Sequence, residues 1–329
     1  RLSYGNATDG VTVNLSNGTA RGTAEDDVAG VGEDTILGGV SQLRGSSFDD
    51  VLIGNDVPNI ESFRGQGGDD FIDGRGGDDR ADYLNSPDSV FVDLSTGVAQ
   101  DGFGGTDTLV NIERVRGSDF ADDTLIGDAS DNDLDGRGGD DTLIGGEGDD
   151  SLRGRDGDDV LVSDGGQDFL RGDAGSDAFV FTSKDGSTRN LPGDNGFFGD
   201  VISDYTAGED QLVFEGMEGI SYTGRVFELV NGDPYNSTAD AIDADPSIQN
   251  EIVFIPEAGP HLDFLSSQTR GFLYVKGVGT GTDFDQMIIE LQDVSVPPPV
   301  EAVVFSDPDA IISGDVAASL TEDVAVDVN

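Results

Sequence analysis

Between residues 136 and 180 the chain places one apolar side chain at every ninth position. These side chains belong to Leu143, Leu152, Leu161, Leu170 and Phe179. Each is the middle residue of a three-residue segment, and each segment follows six residues that are mostly glycine and aspartate. Three residues suffice only for a short strand, in which neighbouring side chains point to opposite faces. The pattern therefore predicts a stack of short strands that each bury one central residue.

The six residues before each strand predict a tight loop. Their fourth place is always glycine, at Gly139, Gly148, Gly157, Gly166 and Gly175. Their sixth place is always aspartate, at Asp141, Asp150, Asp159, Asp168 and Asp177. Glycine tolerates a positive φ, so the loop can curl and direct its carbonyl oxygens into one small space. Two nine-residue phrases then form one turn of a flattened helix.

The stacked aspartates predict a bound cation. Neighbouring coils of such a stack lie about 4.8 Å apart. Bare carboxylates at that separation would repel by several kcal/mol at an effective dielectric constant of about 20. Carboxylate and carbonyl oxygens in a flexible loop suit Ca²⁺ better than Mg²⁺, which requires a tighter octahedron and retains its water. A glycine-rich flexible linker is the alternative, but a linker has no reason to keep an apolar residue at every ninth position.

The phrase resembles the glycine-rich nonapeptide repeat GGxGxDxUx of RTX proteins, a Ca²⁺-binding parallel β-helix. It returns in weaker form at 45–53, 65–79, 117–126 and 127–135. The second of these segments contributes Asp70 and Asp79, whereas the others place Asp50, Asp123 and Asn132 in the aspartate column. The sequence predicts coils at the degenerate loops without assigning an ion to each.

The resemblance implies several Ca²⁺ ions held by sixth-place carboxylates and by the first-place glycines of their loops. The predicted aspartate ligands are Asp70, Asp79, Asp123, Asp141, Asp150, Asp159, Asp168 and Asp177. The predicted loop glycines are Gly65, Gly74, Gly136, Gly145, Gly154 and Gly172. Aspartates two phrases apart are expected to share an ion, as in the pairs Asp141 with Asp159, Asp150 with Asp168, and Asp159 with Asp177.

A longer repeat encloses the short one. Residues 2–20 match residues 81–99, and residues 34–55 match residues 107–128. Each copy opens with alternating apolar residues that predict a half-buried strand. The sequence therefore predicts two homologous repeat units, at 1–80 and 81–180, whose stacking buries a core that no single coil could bury.

Beyond residue 180 the nine-residue period stops, and short β-branched and aromatic segments predict strands joined by turns. The stretch 178–214 resembles the cap that follows the repeats in serralysin-type RTX proteins, through Asp200, Ile202, Asp204, Tyr205, Gly208 and Asp210. We therefore expect a β-rich capping domain at 181–296. Prolines 297–299 open a last segment, 297–329, which resembles the beginning of a VCBS or bacterial cadherin-like domain. The predicted fold is all-β: a parallel β-roll, an antiparallel β cap and an extended β tail.

The net charge of the chain limits how it can fold and what it can bind. Its 17 basic and 67 acidic side chains give a net charge of −50. Without bound cations such a chain repels itself and stays largely unfolded. Nucleic acid, which requires a basic surface, is not expected as a partner. We expect the arginines of the repeat loops to compensate charge between neighbouring coils rather than to bind anions. They are Arg64, Arg75, Arg137, Arg153, Arg155 and Arg171.

Several classes of protein are not expected. The chain has no cysteine and therefore no disulfide framework. No stretch is apolar for long enough to span a bilayer, and residues 1–10 do not resemble a secretory signal peptide. The single histidine, His261, is interpreted as a loop residue rather than as part of a catalytic triad, so no enzymatic activity is expected. The RTX resemblance implies type I secretion and a place outside the cell or at its surface.

Two functions fit these observations. The first is a non-catalytic structural module of a secreted surface or matrix protein, such as an adhesin, a surface layer or a filament. The second is the accessory repeat module of a secreted lipase, protease or polysaccharide epimerase. Apart from Ca²⁺, the expected partners are further copies of the chain or neighbouring domains of the same large protein, with surface polysaccharide as another possible partner. The resemblance of the tail favours the first function.

Overall fold

The computed structural model describes residues 1–23, 29–182, 200–215, 221–226, 251–256, 270–276, 286–292, 298–299 and 303–306. The chain divides into two compact units, Arg1–Asp159 and Val160–Asn329. Every regular element in the described residues is a β-strand, which confirms the predicted all-β class. No helix in these ranges could cross a membrane. The expected domain boundaries near residues 80, 180 and 296 stay predictions.

The first unit contains short strands that alternate along the chain between two sheets. They are β1 (Leu2–Ser3), β2 (Val11–Asn14), β3 (Thr19–Gly22), β4 (Glu33–Thr35), β5 (Gln42–Arg44), β6 (Val51–Ile53), β7 (Ser62–Arg64), β8 (Phe71–Asp73), β9 (Arg80–Asp82), β10 (Phe91–Asp93), β11 (Val98–Gln100), β12 (Thr106–Val110), β13 (Arg114–Arg116), β14 (Thr124–Ile126), β15 (Asp133–Gly138), β16 (Thr142–Ile144) and β17 (Ser151–Asp156). One sheet has the order β1-β5-β7-β9-β13-β15-β17, and the other has the order β16-β14-β10-β11-β12-β8-β6-β2-β3-β4.

The strand register confirms that two nine-residue phrases make one turn of the roll. Leu125 lies opposite Leu143 in one sheet, and Leu134 lies opposite Leu152 in the other. Both pairings are parallel, and both join residues two phrases apart. Successive phrases therefore supply strands to the two sheets in turn, and each strand pairs with the next but one in the chain.

The core of the first unit lies between these two sheets. The central residue of a strand is buried, whereas its neighbours are partly exposed, as the patterns of β14 and β16 show. Phe63 and Leu134 from one sheet and Leu125 and Leu143 from the other are all 0% exposed. The predicted inward position of the apolar column is confirmed by its complete burial, which excludes water from both sheets' inner faces.

The two copies of the longer repeat form the same local structure. Each folds as an antiparallel meander, β2-β3-β4 in the first copy and β10-β11-β12 in the second. Val13 and Val92 are buried as the alternation predicts. The second meander continues the sheet on both sides, because β10 pairs parallel to β14 and β12 pairs parallel to β8. The longer repeat therefore interrupts the regular coils without ending the sheet.

The second unit contains β18 (Val160–Ser163), β19 (Phe169–Ala174), β20 (Ala178–Phe181), β21 (Asp200–Ile202), β22 (Gln211–Glu215), β23 (Ser221–Val226), β24 (Glu251–Pro256), β25 (Arg270–Lys276), β26 (Gln286–Gln292) and β27 (Val303–Ser306). Strands β24, β25 and β26 are antiparallel neighbours, as expected of a cap. Parallel pairing nevertheless extends past residue 180, from β20 to β22 and β27 and from β19 to β21 and β26. Parallel pairing thus continues beyond the part of the chain that repeats every nine residues. These strands need only apolar side chains in matching register, and they do not need the glycine loop. His261 and residues 307–329 of the tail lie outside the described residues.

The central leucine column should carry much of the stability. Replacing Leu134 by alanine removes a fully buried side chain and should lower the free energy of unfolding by about 2–5 kcal/mol. Replacing Phe120, which is 90% exposed, should change it by less than about 0.5 kcal/mol. Urea unfolding at saturating Ca²⁺, followed by circular dichroism, measures both. Equal losses in the two variants would contradict the assigned core.

Candidate calcium sites

All eight predicted aspartate ligands are buried, although each carries a carboxylate. Asp70, Asp79, Asp123, Asp141, Asp150, Asp159, Asp168 and Asp177 are at most 2% exposed. Each stands directly before a short strand, because the tight glycine loop brings the chain back into the sheet at that point. Buried carboxylates require hydrogen bonds or a counter-charge. Their partners therefore define what the loops can bind.

One carboxylate oxygen accepts a main-chain N–H of a neighbouring coil in Asp70, Asp79, Asp123, Asp141, Asp150 and Asp159. The backbone N–H of Asp123 donates to Oδ1 of Asp141 at 2.8 Å, and the N–H of Asp141 donates to Oδ1 of Asp159 at 2.8 Å. The N–H of Asp50 donates in the same way to Asp70 at 2.8 Å. These bonds stabilise the stack even without an ion. The predicted repulsion between stacked carboxylates is therefore offset in part by backbone donors, before any cation binds.

The second oxygen of several carboxylates has no hydrogen-bond partner. Oδ2 of Asp70, Asp79 and Asp141 is buried and accepts no hydrogen bond. The oxygen lies over the first glycine of its own loop: a Cβ built on Gly136 would come closer than 3.0 Å to Oδ2 of Asp141. An unsatisfied buried oxygen of this kind costs free energy unless a positive charge is present. It is the group that a Ca²⁺ ion would satisfy.

The predicted first-place glycines share this close approach. In each loop a side chain on the glycine would meet the sixth-place carboxylate, as for Gly65 with Asp70, Gly74 with Asp79, Gly136 with Asp141, Gly145 with Asp150, Gly154 with Asp159, and Gly172 with Asp177. A carbonyl joins the carboxylate at Gly117, where Oδ2 of Asp123 and the carbonyl oxygen of Gly136 both converge. Glycine at these places keeps open a space lined by oxygen.

The fourth-place glycine is required for a different reason. Its φ is positive in all five regular loops: 112° at Gly139, 118° at Gly148, 139° at Gly157, 119° at Gly166 and 148° at Gly175. This confirms the predicted curl. The second place is left-handed in four of the five loops, and there the residue is often not glycine, as with Arg137 and Arg155 at 94°. This strain at Arg137 and Arg155 could not be predicted from the residue type, because arginine does not mark a positive φ.

Burial raises the pKa of these carboxyl groups in the metal-free fold. The pKa rises to about 6 for Asp123, about 7 for Asp150, about 8 for Asp141 and about 9 for Asp70. Loss of hydration is the largest cause in each case, and neighbouring aspartates add to it. For Asp141 the neighbours are Asp123 and Asp159, the members of the same ladder. A proton and a cation therefore compete for the same carboxylates.

Several residues of the ladder were missed in the sequence. Glu113 takes the place of a sixth-place aspartate, since its Oε2 accepts the N–H of Asp79 at 2.8 Å. Glu61 donates its N–H to Oδ1 of Asp79 at 2.8 Å. Neither loop has the glycine pattern, so the nine-residue period could not reveal them. Asp107 likewise accepts the N–H of Asp70 at 3.0 Å from within the second meander.

The phrase that resembles a serralysin cap also joins a ladder, within the second unit. Oδ1 of Asp200 accepts the N–H of Asp168 at 2.9 Å, and Oδ1 of Asp210 accepts the N–H of Asp177 at 3.0 Å. Both carboxylates stand directly before parallel strands, β21 and β22. The sequence phrase was visible, but its two aspartates were assigned to a cap rather than to the aspartate column.

A second ladder lies outside the first and uses the fifth-place aspartates. The N–H of Asp158 donates to Oδ1 of Asp140, and the N–H of Asp140 donates to Oδ1 of Asp122, both at 2.9 Å. Its hydrogen bonds point the opposite way along the stack from those of the buried ladder. Consecutive aspartates such as Asp140 and Asp141 therefore have distinct roles: the first belongs to the exposed ladder, and the second belongs to the buried one.

The residues present fit Ca²⁺. No group of three or more His, Cys, Asp or Glu side chains that could hold a metal occurs in the described part of the chain. The loops instead offer carboxylate oxygens from adjacent coils together with main-chain carbonyls, which is the oxygen-only ligand set that Ca²⁺ accepts. Asp123 with Asp141, and Asp141 with Asp159, would each hold an ion. The pairs Asp150 with Asp168 and Asp159 with Asp177 each join residues of different units and stay predictions.

A side chain at the first place of a loop should weaken calcium-dependent folding. In Gly136→Ala the added methyl group would occupy the space of Asp141 Oδ2, so the Ca²⁺ midpoint should rise severalfold. Gly76→Ala is the matched control, because its Cβ would lie no closer than 3.6 Å to another atom. Ca²⁺ titrations of both variants by circular dichroism measure the shift. A midpoint that moves as much in the control as in Gly136→Ala would contradict the oxygen-lined space.

The raised pKa values predict that acid promotes folding when Ca²⁺ is absent. A carboxyl group whose pKa is near 3.9 in the unfolded chain and about 8 at Asp141 in the fold contributes stability that is complete below pH of about 4. That contribution is lost as the pH rises through the folded pKa values, about 6 to 9 in Asp123 and Asp70. In a chelator, the β signal should therefore be stronger at pH 5 than at pH 8.5. A signal that grows with pH would overturn the assignment.

Of the comparisons with known proteins, the match to a family model agrees with this geometry. A search of curated proteins found no match. Among solved structures, the extracellular lipase LipA from Serratia marcescens is similar, with 17% sequence identity and a TM-score of 0.26 over 82% of this chain. The chain spans 40% of the length of that lipase. Residues 59–84, 118–152 and 144–179 match the family model of the RTX calcium-binding nonapeptide repeat (4 copies). These segments are RTX nonapeptide repeats, which bind several Ca²⁺ ions, and the predicted cofactor is confirmed.

Proposed function

We propose that this chain is a Ca²⁺-folded, non-catalytic structural module of a secreted bacterial surface or extracellular matrix protein. The observation that carries the proposal is the buried ladder of aspartates, in which Asp70, Asp79 and Asp141 each keep one oxygen without a hydrogen-bond partner. Backbone donors hold one oxygen of these carboxylates, and a cation is needed to satisfy the other while the group is ionised. The fold itself then depends on the ion.

Folding and ion binding are therefore one process. At low Ca²⁺ the net charge of −50 and the buried carboxylates both oppose a compact state. Each ion removes the free-energy cost of burying ionised carboxylates in two neighbouring coils, so the binding of one ion favours binding at the next site. Several sites of extracellular affinity, about 10⁻⁴ to 10⁻³ M each, make the transition steep through mass action.

This dependence suits export. RTX repeats are typical of proteins that leave the cell by type I secretion. A chain that stays unfolded at the low Ca²⁺ of the cytosol can pass through an exporter, and it folds where Ca²⁺ is abundant. The proposed location is therefore outside the cell, either secreted or held at its surface.

A structural role suits the way the carboxylates are used. Asp141 and Asp159 accept main-chain N–H groups of neighbouring coils, and both are buried. Groups held in this way cannot reach a substrate for acid-base chemistry. The resemblance of residues 309–329 to tandem adhesin domains supports a surface or matrix protein. The accessory module of a secreted enzyme is the other candidate, and a catalytic domain encoded beside this chain would favour it.

A Ca²⁺ titration of the full chain tests the proposal as a whole. Far-UV circular dichroism should show a cooperative change from coil to β structure, and sedimentation velocity on the same sample should show growth into ordered assemblies. A transition in a species that stays monomeric would favour the accessory module. The absence of any transition would overturn the calcium-folded module.

A matched pair of amide variants separates the ion from the hydrogen-bond ladder. In Asp141→Asn the amide oxygen can still accept the N–H of Asp123, but the buried charge is lost, so the Ca²⁺ midpoint should rise about tenfold. Asp140→Asn makes the same change one residue earlier, in the exposed ladder, and should shift the midpoint by less than twofold. Circular dichroism at increasing Ca²⁺ measures both. Equal shifts would show that total charge, and not a site at Asp141, sets the midpoint.

A further inference from the structure

Arginines gather on the outer face of one sheet of the first unit, on strands β5, β7, β9 and β13. Arg44 lies opposite Arg64 in the parallel register of β5 and β7, and Arg80 lies opposite Arg114 in that of β9 and β13. Like charges on paired strands repel each other. The chain has a net charge of −50, yet arginines rather than acidic residues occupy these places. Because their positive charges lie close together, a counter-charge would stabilise them.

A cavity of about 170 Å³ opens among these arginines. Arg1, Arg44, Arg64, Arg80 and Arg116 line it, and Asp82 is the one acidic residue in its lining. The volume is several times the roughly 30 Å³ that one water molecule occupies in the liquid. It therefore has room for a polyatomic ion or for one charged group of a larger ligand.

The protein supplies too few acceptors for these guanidinium groups. Asp82 is shared, with Arg64 at 2.8 Å and Arg116 at 3.9 Å. Arg116 also lies 3.4 Å from Asp135, which Arg155 contacts as well. Arg80 forms no ion pair within the described residues, and its contact is a hydrogen bond donated to Ser62 Oγ at 3.2 Å. Arg44 donates to the neutral side chain of Gln66 at 2.5 Å. Positive charge thus remains in excess around the cavity.

Two donors facing this region are buried without an acceptor. The Nε atoms of Arg44 and Arg80 have no hydrogen-bond partner although both atoms are buried. A negative charge would be stabilised beside these buried donors.

Arg75 and Arg137, elsewhere in the same unit, do not share this shortage. Arg75 pairs with Asp56 through two hydrogen bonds, at 3.0 and 3.1 Å. Arg137 pairs with Asp119 at 2.8 Å. These pairs confirm the expected charge compensation between coils. The cavity is the place where that compensation is incomplete.

We propose that this cavity binds a tetrahedral oxyanion, a phosphate or sulfate group. The rigid fork of each guanidinium group directs two N–H donors at one ligand, and it matches oxyanions in a bidentate manner. A tetrahedral anion presents oxygens in several directions at once, so arginines from different strands can each contact a different edge. The site lies on the outer face of the sheet, whereas the carboxylates of the calcium ladder are buried, and the inference stands independently of the structural role proposed above.

The phosphate or sulfate group can come from two sources: a free ion, or an ester on a polysaccharide. The experiment uses the full chain, folded in 2 mM Ca²⁺, with sodium sulfate and dextran sulfate as separate probes in isothermal titration calorimetry. Sodium chloride at matched ionic strength is the reference. Saturable binding of sulfate identifies the free ion as sufficient, whereas binding of dextran sulfate alone identifies a polymer-borne group. Either result supports the site if the variants below lose it.

Arg80→Gln should weaken sulfate or dextran sulfate binding by about tenfold or more, because it removes a charged donor at the cavity. Arg80→Lys keeps the charge but loses the fork, and should also weaken binding. Arg75→Gln, which removes an exposed arginine on a loop, should leave the affinity unchanged.

Each variant must show the wild-type Ca²⁺ midpoint by circular dichroism, and Arg44→Gln replaces Arg80→Gln if the latter fails to fold. Absence of saturable binding of both probes would overturn the proposal. An equal loss in Arg75→Gln and in the cavity variants would do so too, since it would show that only the overall charge matters.

Discussion

Every turn of this roll buries carboxylates next to the carboxylates of neighbouring turns, and the rest of the structure accommodates that constraint. Asp141 is 1% exposed and lies between Asp123 and Asp159 in its ladder. Burial of charge in an apolar surrounding is among the most costly events in folding. The fold offsets it in two ways, through main-chain donors and through a space for a cation, and the two act on different oxygens of the same group.

The division between the two oxygens explains the composition of the loop. Oδ1 is committed to a backbone N–H of the neighbouring coil, which fixes the aspartate at the point where each strand begins. Oδ2 remains over the first glycine, where any side chain would displace it. At Gly45 and Gly117 the carbonyl oxygen of the first glycine of a neighbouring coil, Gly65 or Gly136, reaches the same space. A single loop thus couples its own conformation, the stacking of the coils and the binding of Ca²⁺, and a change in one alters the other two.

The outer surface obeys a different electrostatic rule. Most loop arginines pair with an aspartate of an adjacent coil, as Arg137 does with Asp119, and such pairs connect turns that are distant in sequence. Arg44 and Arg80 depart from that rule and face a cavity with one acidic residue in its lining. The roll therefore presents opposite charges in distinct places: buried negative charge that attracts cations, and a local positive excess that can attract an anion.

The sequence by itself determined the repeating unit: the strand centred on Leu143, the left-handed glycine at Gly139 and the place of Asp141 at the end of the loop all follow from the residue types at fixed places. It could do so because the constraint is local and recurs every nine residues. Only the tertiary structure decided which chemically different residues fill equivalent places, such as Glu113 and Asp200 in the ladder. The tertiary structure also decided how far parallel pairing extends past residue 180 and which arginines lack a carboxylate partner. Those outcomes depend on contacts between coils that are separated by 18 to 37 residues, and no local pattern records them.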